Sequence, residues 1–410
     1  MPSPSVRRAV FSTLVVLTVT LTLLPSAQCQ TFQVLHNFNP SAGDGWFPAG
    51  VLVLDAHGTI YGTAGKGGLQ SCRSEGCGVV FQLIPNSDGT WTETFIHKFN
   101  GADGAFPSGP LIFDSQSNLY GIAGDRGSYQ FGAIYELTPD GHSTWNERTL
   151  HQFTGGADGA GNPGAGLLFD QAGNLYGDSM LYGTDNKGNV YSMSGPLKST
   201  QIVMHAFTGG SDGAIPAVSL ATDASGNLYG VASGGGAGYG LIFEMSRGSS
   251  GWQESVLYTF SWQDRITPGS GVVFDSAGNL YGTTSTGGDY SQGAVYRLTH
   301  HADGTWSPTI LYSFHLMPDG IYPEGPLIFD RFGNIFGTTS NGGTSNFGTV
   351  FELLPLAGGH WAERILHSFN SSDGGMPLEG VILDGAGSLY GTTQDGGAFN
   401  GGVVFKLTTH

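Results

Sequence analysis

The carboxylates and imidazoles that could do chemistry in this chain recur at a regular spacing. Asp44, Asp103, Asp158, Asp212, Asp319 and Asp373 are each followed by glycine, mostly within D-G-x-x-P, and Asp264 is followed by Arg265 in an odd copy. A rim of aspartates suggests calcium, but calcium takes about 6 to 8 oxygens and each copy offers a single carboxylate. The expectation is therefore a turn in which aspartate caps the backbone and glycine takes positive φ, with no metal and no cofactor. His36, His97, His151, His205 and His367 share one position in "LH-x-F", where Tyr258 and Tyr312 stand in the other two copies. A ligand set must converge, whereas these residues are distributed along the repeat, so they read as structural groups bonding a neighbouring loop.

Residues that break the repeat carry more information, because chemistry needs asymmetry. They are Trp46, Asp125, Arg126, Asp178 (where other copies have Thr, Ile or Val), Arg265, Asp289 and Asp395, and they are the candidate ligand-binding residues. Trp46 is of the type that stacks on a sugar ring or a partner surface. Two carboxylates meeting at a central opening could act as acid and base in glycan cleavage. No catalytic residue is assigned, since the chain has no nucleophile elbow, no phosphate-binding glycine loop and no His-rich metal motif.

The elements that must position these groups follow from one phrase. "SAGNLYGTTSTGG" at 276 to 288 returns as "RFGNIFGTTSNGG" at 331 and "GAGSLYGTTQDGG" at 385, and its aromatic recurs as Tyr61, Tyr120, Tyr176, Tyr229, Tyr281, Phe336 and Tyr390. The steps are 59, 56, 53, 52, 55 and 54 residues, so seven units fill the chain after residue 30. A fixed period of that length points to a single repeat architecture. Each unit reads as four short strands, as in "GPLIFD", "NIFGTT", "GTVFELL" and "AERILHSF" of the sixth, with a D-x-x-G-N turn between the first two. The fold expected is all-β: a seven-bladed β-propeller with four antiparallel strands per blade. The units are residues 31–91, 92–145, 146–199, 200–252, 253–306, 307–361 and 362–410. A lone fourth-type strand, "TFQVLHNF" (31 to 38), starts the repeat region and a third-type strand, "GVVFKLTTH", ends it, which predicts a ring closed by pairing the two.

Within that ring, loops from fourth to first strands and from second to third strands share one face, where function is expected. Phe47, Phe106, Ile215, Tyr322 and Met376, just before the loop prolines, are expected to plug seams between blades. Trp91, Trp145, Trp252, Trp306 and Trp361 begin fourth strands and read as structural.

Residues 1–29 are different: Arg7 and Arg8, then an apolar stretch ending in proline and "SAQCQ", read as a secretory signal. Lipid attachment at Cys29 is not favoured, because Gln28 fits that motif badly. Cleavage would leave 13 basic residues against 32 acidic ones, a net charge near −19, from −17 for the whole chain. A field of that sign disfavours nucleic acid and anionic lipid. In an exported chain Cys72 and Cys77, in "SCRSEGCG", are expected to form a local disulfide.

The motif G-N-L-Y-G-T-T, then G-G, then G-x-V-[FY]-x-L, repeated at about 54 residues over 31 to 410, resembles the GloVer tandem-repeat proteins, an exported bacterial family. The resemblance implies a fold and an extracellular or periplasmic location, but no chemistry. Unit three keeps least of the motif, and the chain ends at "KLTTH" without a sorting tail, so surface anchoring is not expected. The sequence reading is an exported, monomeric, non-enzymatic platform for a carbohydrate or a surface protein, without an integral membrane segment after signal removal. A glycan hydrolase or lyase and a structural envelope component are the alternatives.

Overall fold

The computed structural model describes residues 30–409 other than 73, 142–143, 161–165, 217–219 and 250. The expected signal segment, with Arg7, Arg8 and Cys29, lies outside the described residues. Seven antiparallel sheets stand in a ring, the arrangement of a seven-bladed β-propeller. In the sixth blade Ile328–Phe329, Ile335–Thr339, Thr349–Pro355 and Trp361–Ser368 pair in that order. In the first blade the inner strand is split into Gly45–Pro48 and Val53–Leu54, both pairing with Ile60–Gly67.

The repeated phrase earns its conservation of type within the chain from packing. Second strands such as "LYGTT" (Leu280–Thr284) are buried along their whole length, because neighbouring sheets cover both faces. The glycine of L-Y-G leaves room for a ring of the third strand: a Cβ on Gly337 would lie 2.6 Å from Phe351, and one on Gly391 2.5 Å from Phe405. Fourth strands alternate exposed and half-buried positions, as in Trp91–Lys98, since they form the outer edge. The D-x-x-G-N turn forms as expected. Asp330 Oδ1 accepts the N–H groups of Phe332 (2.8 Å) and Asn334 (2.9 Å), and its Oδ2 accepts Asn334 Nδ2.

Blades are joined by one repeated aromatic contact. The phenylalanine of L-H-x-F (Phe38, Phe99, Phe153, Phe207, Phe260, Phe314 and Phe369) is fully buried in every copy. Each meets the ring of the next blade's third strand edge-on, with centroids 5.1 to 5.8 Å apart. The last of these contacts joins Phe369 to Phe405, and Phe38 to Phe81 is its counterpart where the chain's ends meet.

The ring closes as the sequence predicts. Thr31–Asn37 pairs antiparallel with Val403–Thr408, from Thr31 opposite Thr408 to Asn37 opposite Val403. The last blade thus takes its outer strand from the start of the repeat region, and no sheet is left with a missing strand. Removing residues 30–38 deletes that strand and Phe38, and is expected to lower the melting temperature by many degrees, since one Phe→Ala change alone costs about 3 to 5 kcal/mol. An unchanged melting temperature in a thermal unfolding scan contradicts closure of this kind.

Candidate functional site on the loop face

The two loop types interlock on one face. The N–H groups of Gly127, Gly183, Gly236, Gly288, Gly343 and Gly397, in second-to-third-strand loops, donate to carbonyls of Gly101, Gly156, Gly210, Arg265, Asp319 and Ser371 in the loops entering first strands. Phe47, Phe106, Ile215, Tyr322 and Met376 all take left-handed backbone conformations, with φ between 53° and 62°. That costs roughly 1 to 3 kcal/mol per residue and most of all for a β-branched residue such as Ile215. Each of the five spans a seam by its backbone, donating its N–H to the preceding blade at 2.8 to 3.0 Å; Phe106 donates to Cys77 O and Met376 to Phe347 O. The proline that follows packs on the neighbouring blade, so a Cβ on Gly348 would lie 2.5 Å from Pro377. The side chains themselves are half-buried. Phe47 and Phe106 line a cleft of about 540 Å³ together with Lys66, Asp125, Phe131 and Tyr182.

The residues that break the repeat are dispersed across this face. Trp46 is half-buried beneath Lys66, whose ammonium lies 4.5 Å from its ring centroid, and it packs on the first blade's core. Asp125 lies in the cleft wall and accepts the Arg126 N–H at 2.7 Å. Arg126 reaches back to the first blade, donating to Cys72 O at 2.8 Å. Cys72 and Cys77 are disulfide-bonded, so Arg126 ties the second blade's loop to the loop that the bridge pins. Arg265 and Asp289 form an ion pair at 3.1 Å with both side chains about two-thirds exposed, 65% and 63%, where such a pair contributes little. Asp395 is half-buried and donates its N–H to Gly375 O. Asp178 is not on the surface of this face: it lies in the buried second strand of the third blade, 1% exposed, where burial pushes its carboxyl well above the usual range.

The D-G aspartates are consumed in a clasp at each seam. Fourth strands carry a bulge just before the histidine or tyrosine, as between Val34 and His36, which re-aims that side chain at the loop aspartate. His97 meets Asp103 at 3.1 Å, His151 meets Asp158 at 3.2 Å and His367 meets Asp373 at 3.2 Å. Tyr258 and Tyr312 donate to Asp264 (2.8 Å) and Asp319 (2.9 Å) instead. The aspartate also caps the loop, as Asp264 does for Ser261 N–H at 2.7 Å. The odd copy thus keeps the clasp despite Arg265. In four seams a glutamate of the next blade's fourth strand joins: Glu93, Glu147, Glu254 and Glu363. Burial first, and then the charge of Asp212 or Asp319, pushes Glu254 up to about 7 and Glu363 up to about 8.

Two features escaped the sequence reading. The first is a set of exposed aromatics in the second-to-third-strand loops of blades two to seven: Tyr129, Tyr182, Tyr239, Tyr290, Phe347 and Phe399. The second is an acid pair at the inner edge of blades six and seven. Glu379 accepts the Gly50 N–H, and burial, with the charge of Glu324 adding to it, raises its pKa. Glu324 is largely exposed, and partial burial raises it against a hydrogen bond with Ser340.

A ring of four-stranded blades with interlocked loops on one face defines a tandem-repeat β-propeller. The sequence profile of the Gloeobacter/Verrucomicrobia repeat matches residues 20–144, 70–273 and 223–410. The chain belongs to that family. A solved structure described as a putative gluconolactonase is similar to this chain at 15% identity and a TM-score of 0.46, over 94% of each chain. No curated protein matches.

The seam glutamates make stability depend on pH. Folded Glu254 and Glu363 hold their protons to about pH 7 and 8, whereas an unfolded glutamate releases its proton near about 4.3. The folded state binds more protons between those limits, so the contribution of these two glutamates is full below about pH 4 and is lost as pH rises to about 8. Glu363→Gln keeps the uncharged form. It is expected to raise the melting temperature over the parent at pH 8 and to leave it near the parent at pH 5; a difference that does not grow between the two contradicts the assignment.

Proposed function

We propose that the protein is an exported carbohydrate-binding platform whose loop face stacks aromatic side chains on sugar rings. The observation that carries this is the set of six exposed aromatics in loops of one type, of which Tyr129, Tyr290 and Phe399 are more than half exposed. Scattered exposed apolar residues need no explanation, but a repeated placement on one face does. Tyrosine joins an apolar ring to a polar tip, which suits a ligand carrying both C–H faces and hydroxyls. The cleft lined by Phe47, Phe106, Lys66 and Asp125 adds polar groups that would orient one sugar unit. The net charge of −17 favours neutral over anionic glycans. Export is supported by the Cys72–Cys77 bridge, and no helix among the described residues is long and apolar enough to cross a membrane.

A second reading, glycan cleavage, is favoured by Glu324 and Glu379, two carboxyls near enough for the charge of one to act on the other. One carboxyl with a raised pKa beside a second is the arrangement that acid and base catalysis uses. In that case the purified chain releases reducing ends from a polysaccharide, and Glu379→Gln abolishes the release.

The platform reading is tested on a glycan array. Tyr129→Ala and Tyr290→Ala, at surface positions, are expected to weaken selective binding by roughly tenfold, the equivalent of about 1.4 kcal/mol. Phe332→Ala, in an exposed D-x-x-G-N turn at the other end of the strands, is expected to leave it unchanged. Equal effects of all three, or no selective binding at all, contradict the proposal.

A further inference from the structure

The seam where the ring closes differs from the other six. Its loop from Asn39 to Asp44 spans five residues of separation and contains the short 3-10 turn Pro40–Ala42, whereas Asn100 and Asp103 at the next seam are three apart. At that next seam both oxygens of Asp103 are satisfied, by Asn100 N–H, Asn100 Nδ2 and His97. The longer loop changes the partners: Asn39 N–H reaches only Asp44 Oδ2, at 3.0 Å. Asp44 Oδ1 is buried away from every N–H and hydroxyl donor, in a side chain only 10% exposed, and the carboxyl of Glu93 is left to share a proton with it. Glu93 Oε1, from the first blade's fourth strand, is also buried away from backbone and hydroxyl donors.

His36 Nε2 lies between them, 3.3 Å from Asp44 Oδ2 and 3.6 Å from Glu93 Oε1. The first is a long hydrogen bond, within the range of the other seams, where His205 meets Asp212 at 3.5 Å, and the second is longer than a hydrogen bond. They are near the separation of two ligand atoms on one tetrahedral metal: bonds of about 2.1 Å place such atoms about 3.4 Å apart. One donor atom from each of the three residues lies within 4.8 Å of the others, and among the described residues this is the one cluster of its kind. We infer that His36, Asp44 and Glu93 bind one divalent transition-metal ion of the zinc class, stapling the last blade to the first.

The chemistry of the donors selects the ion. One imidazole and two carboxylates suit zinc and its neighbours in the first transition row, with water as a fourth ligand, and supply too few oxygens for calcium. The two carboxylates would neutralise the ion's charge, and the ion would take the place of the proton that Asp44 and Glu93 share. His36 and Glu93 are 20% and 14% exposed, which leaves an entry path. His36 belongs to the strand that closes the ring and Glu93 to the first blade. The ion would therefore bridge the two ends of the repeat region, a role no other seam requires.

The test is calorimetric titration of zinc chloride, and of calcium chloride as comparison, into the purified chain after chelator treatment. One zinc ion bound per chain, a higher melting temperature with zinc and no comparable response to calcium are expected. Glu93→Gln removes one ligand and should weaken binding by at least about tenfold. His36→Tyr is the second variant, because Tyr258 and Tyr312 already occupy the equivalent position and bond their aspartates. It should fold and lose zinc in the same way. Glu363→Gln, at a different seam, should bind zinc as the parent does. No zinc binding overturns the inference and leaves the pair held by a proton alone. Binding that survives in both Glu93→Gln and His36→Tyr also overturns it, since the ion then sits on other residues.

Discussion

One contact sets the architecture: a buried phenylalanine at the end of each fourth strand meets, edge-on, an aromatic ring of the next blade's third strand. Edge-to-face pairs add about 0.5 to 1.5 kcal/mol beyond the area they bury, and their geometry is directional. Repeated around a closed ring, the contact fixes the angle between blades and leaves no terminal blade with an uncovered face. The small residues of the second strand follow from it. Gly337 and Gly391 face the same rings on the other side, and any Cβ there would displace them. Because the frame is set by the strands, the loops above it can vary without moving one another far.

The outer part of each seam is held by different physics. Histidine or tyrosine meets a loop aspartate, and in four seams a glutamate stands behind it. Burial keeps His151, His205 and His367 below their ordinary values even with an aspartate beside them. The uncharged imidazole therefore serves as a donor, in the same role that the hydroxyl of Tyr258 fills. This explains why histidine and tyrosine exchange at one position. The aspartates that look like a calcium rim spend their oxygens on backbone caps and on this partner. At the closing seam the longer loop leaves one aspartate oxygen without a backbone or hydroxyl donor, facing Glu93 instead.

Much of the frame was legible in the sequence, because packing repeats whatever packing needs. The spacing of Tyr61 to Tyr390, the D-x-x-G-N turn, the lone strand at residues 31 to 38 and the D-G cap all have one physical cause in every copy. The loop face was harder to read, since its exposed aromatics are not held to a common offset. Tyr129 stands three residues before the glycine that opens a third strand, and Phe347 stands one before it. Glu324 and Glu379 were hidden in the connections just before short apolar inner strands, and Glu93 in the alternation of an outer one. Asp178 was placed on the loop face by its divergence from Thr, Ile and Val. The register of its strand turns it inward instead, opposite Val190. The loop of Asp264 lacks the glycine of the other copies, but Tyr258 stands in for histidine there and keeps the aspartate engaged.

On the proposed function, the seams carry structure and the interlocked loops carry recognition, among residues that the seams do not need. Hydroxyl-radical footprinting of the chain, with and without the glycan it binds best, tests that division most directly. Protection confined to the loop tips around Tyr129, Tyr182, Tyr290 and Phe399, with the turns around Phe332 unchanged, is the result the account predicts. Protection concentrated in the D-x-x-G-N turns, or at the inner edge beside Glu324 and Glu379 alone, would contradict it and move the functional centre away from the aromatic loops.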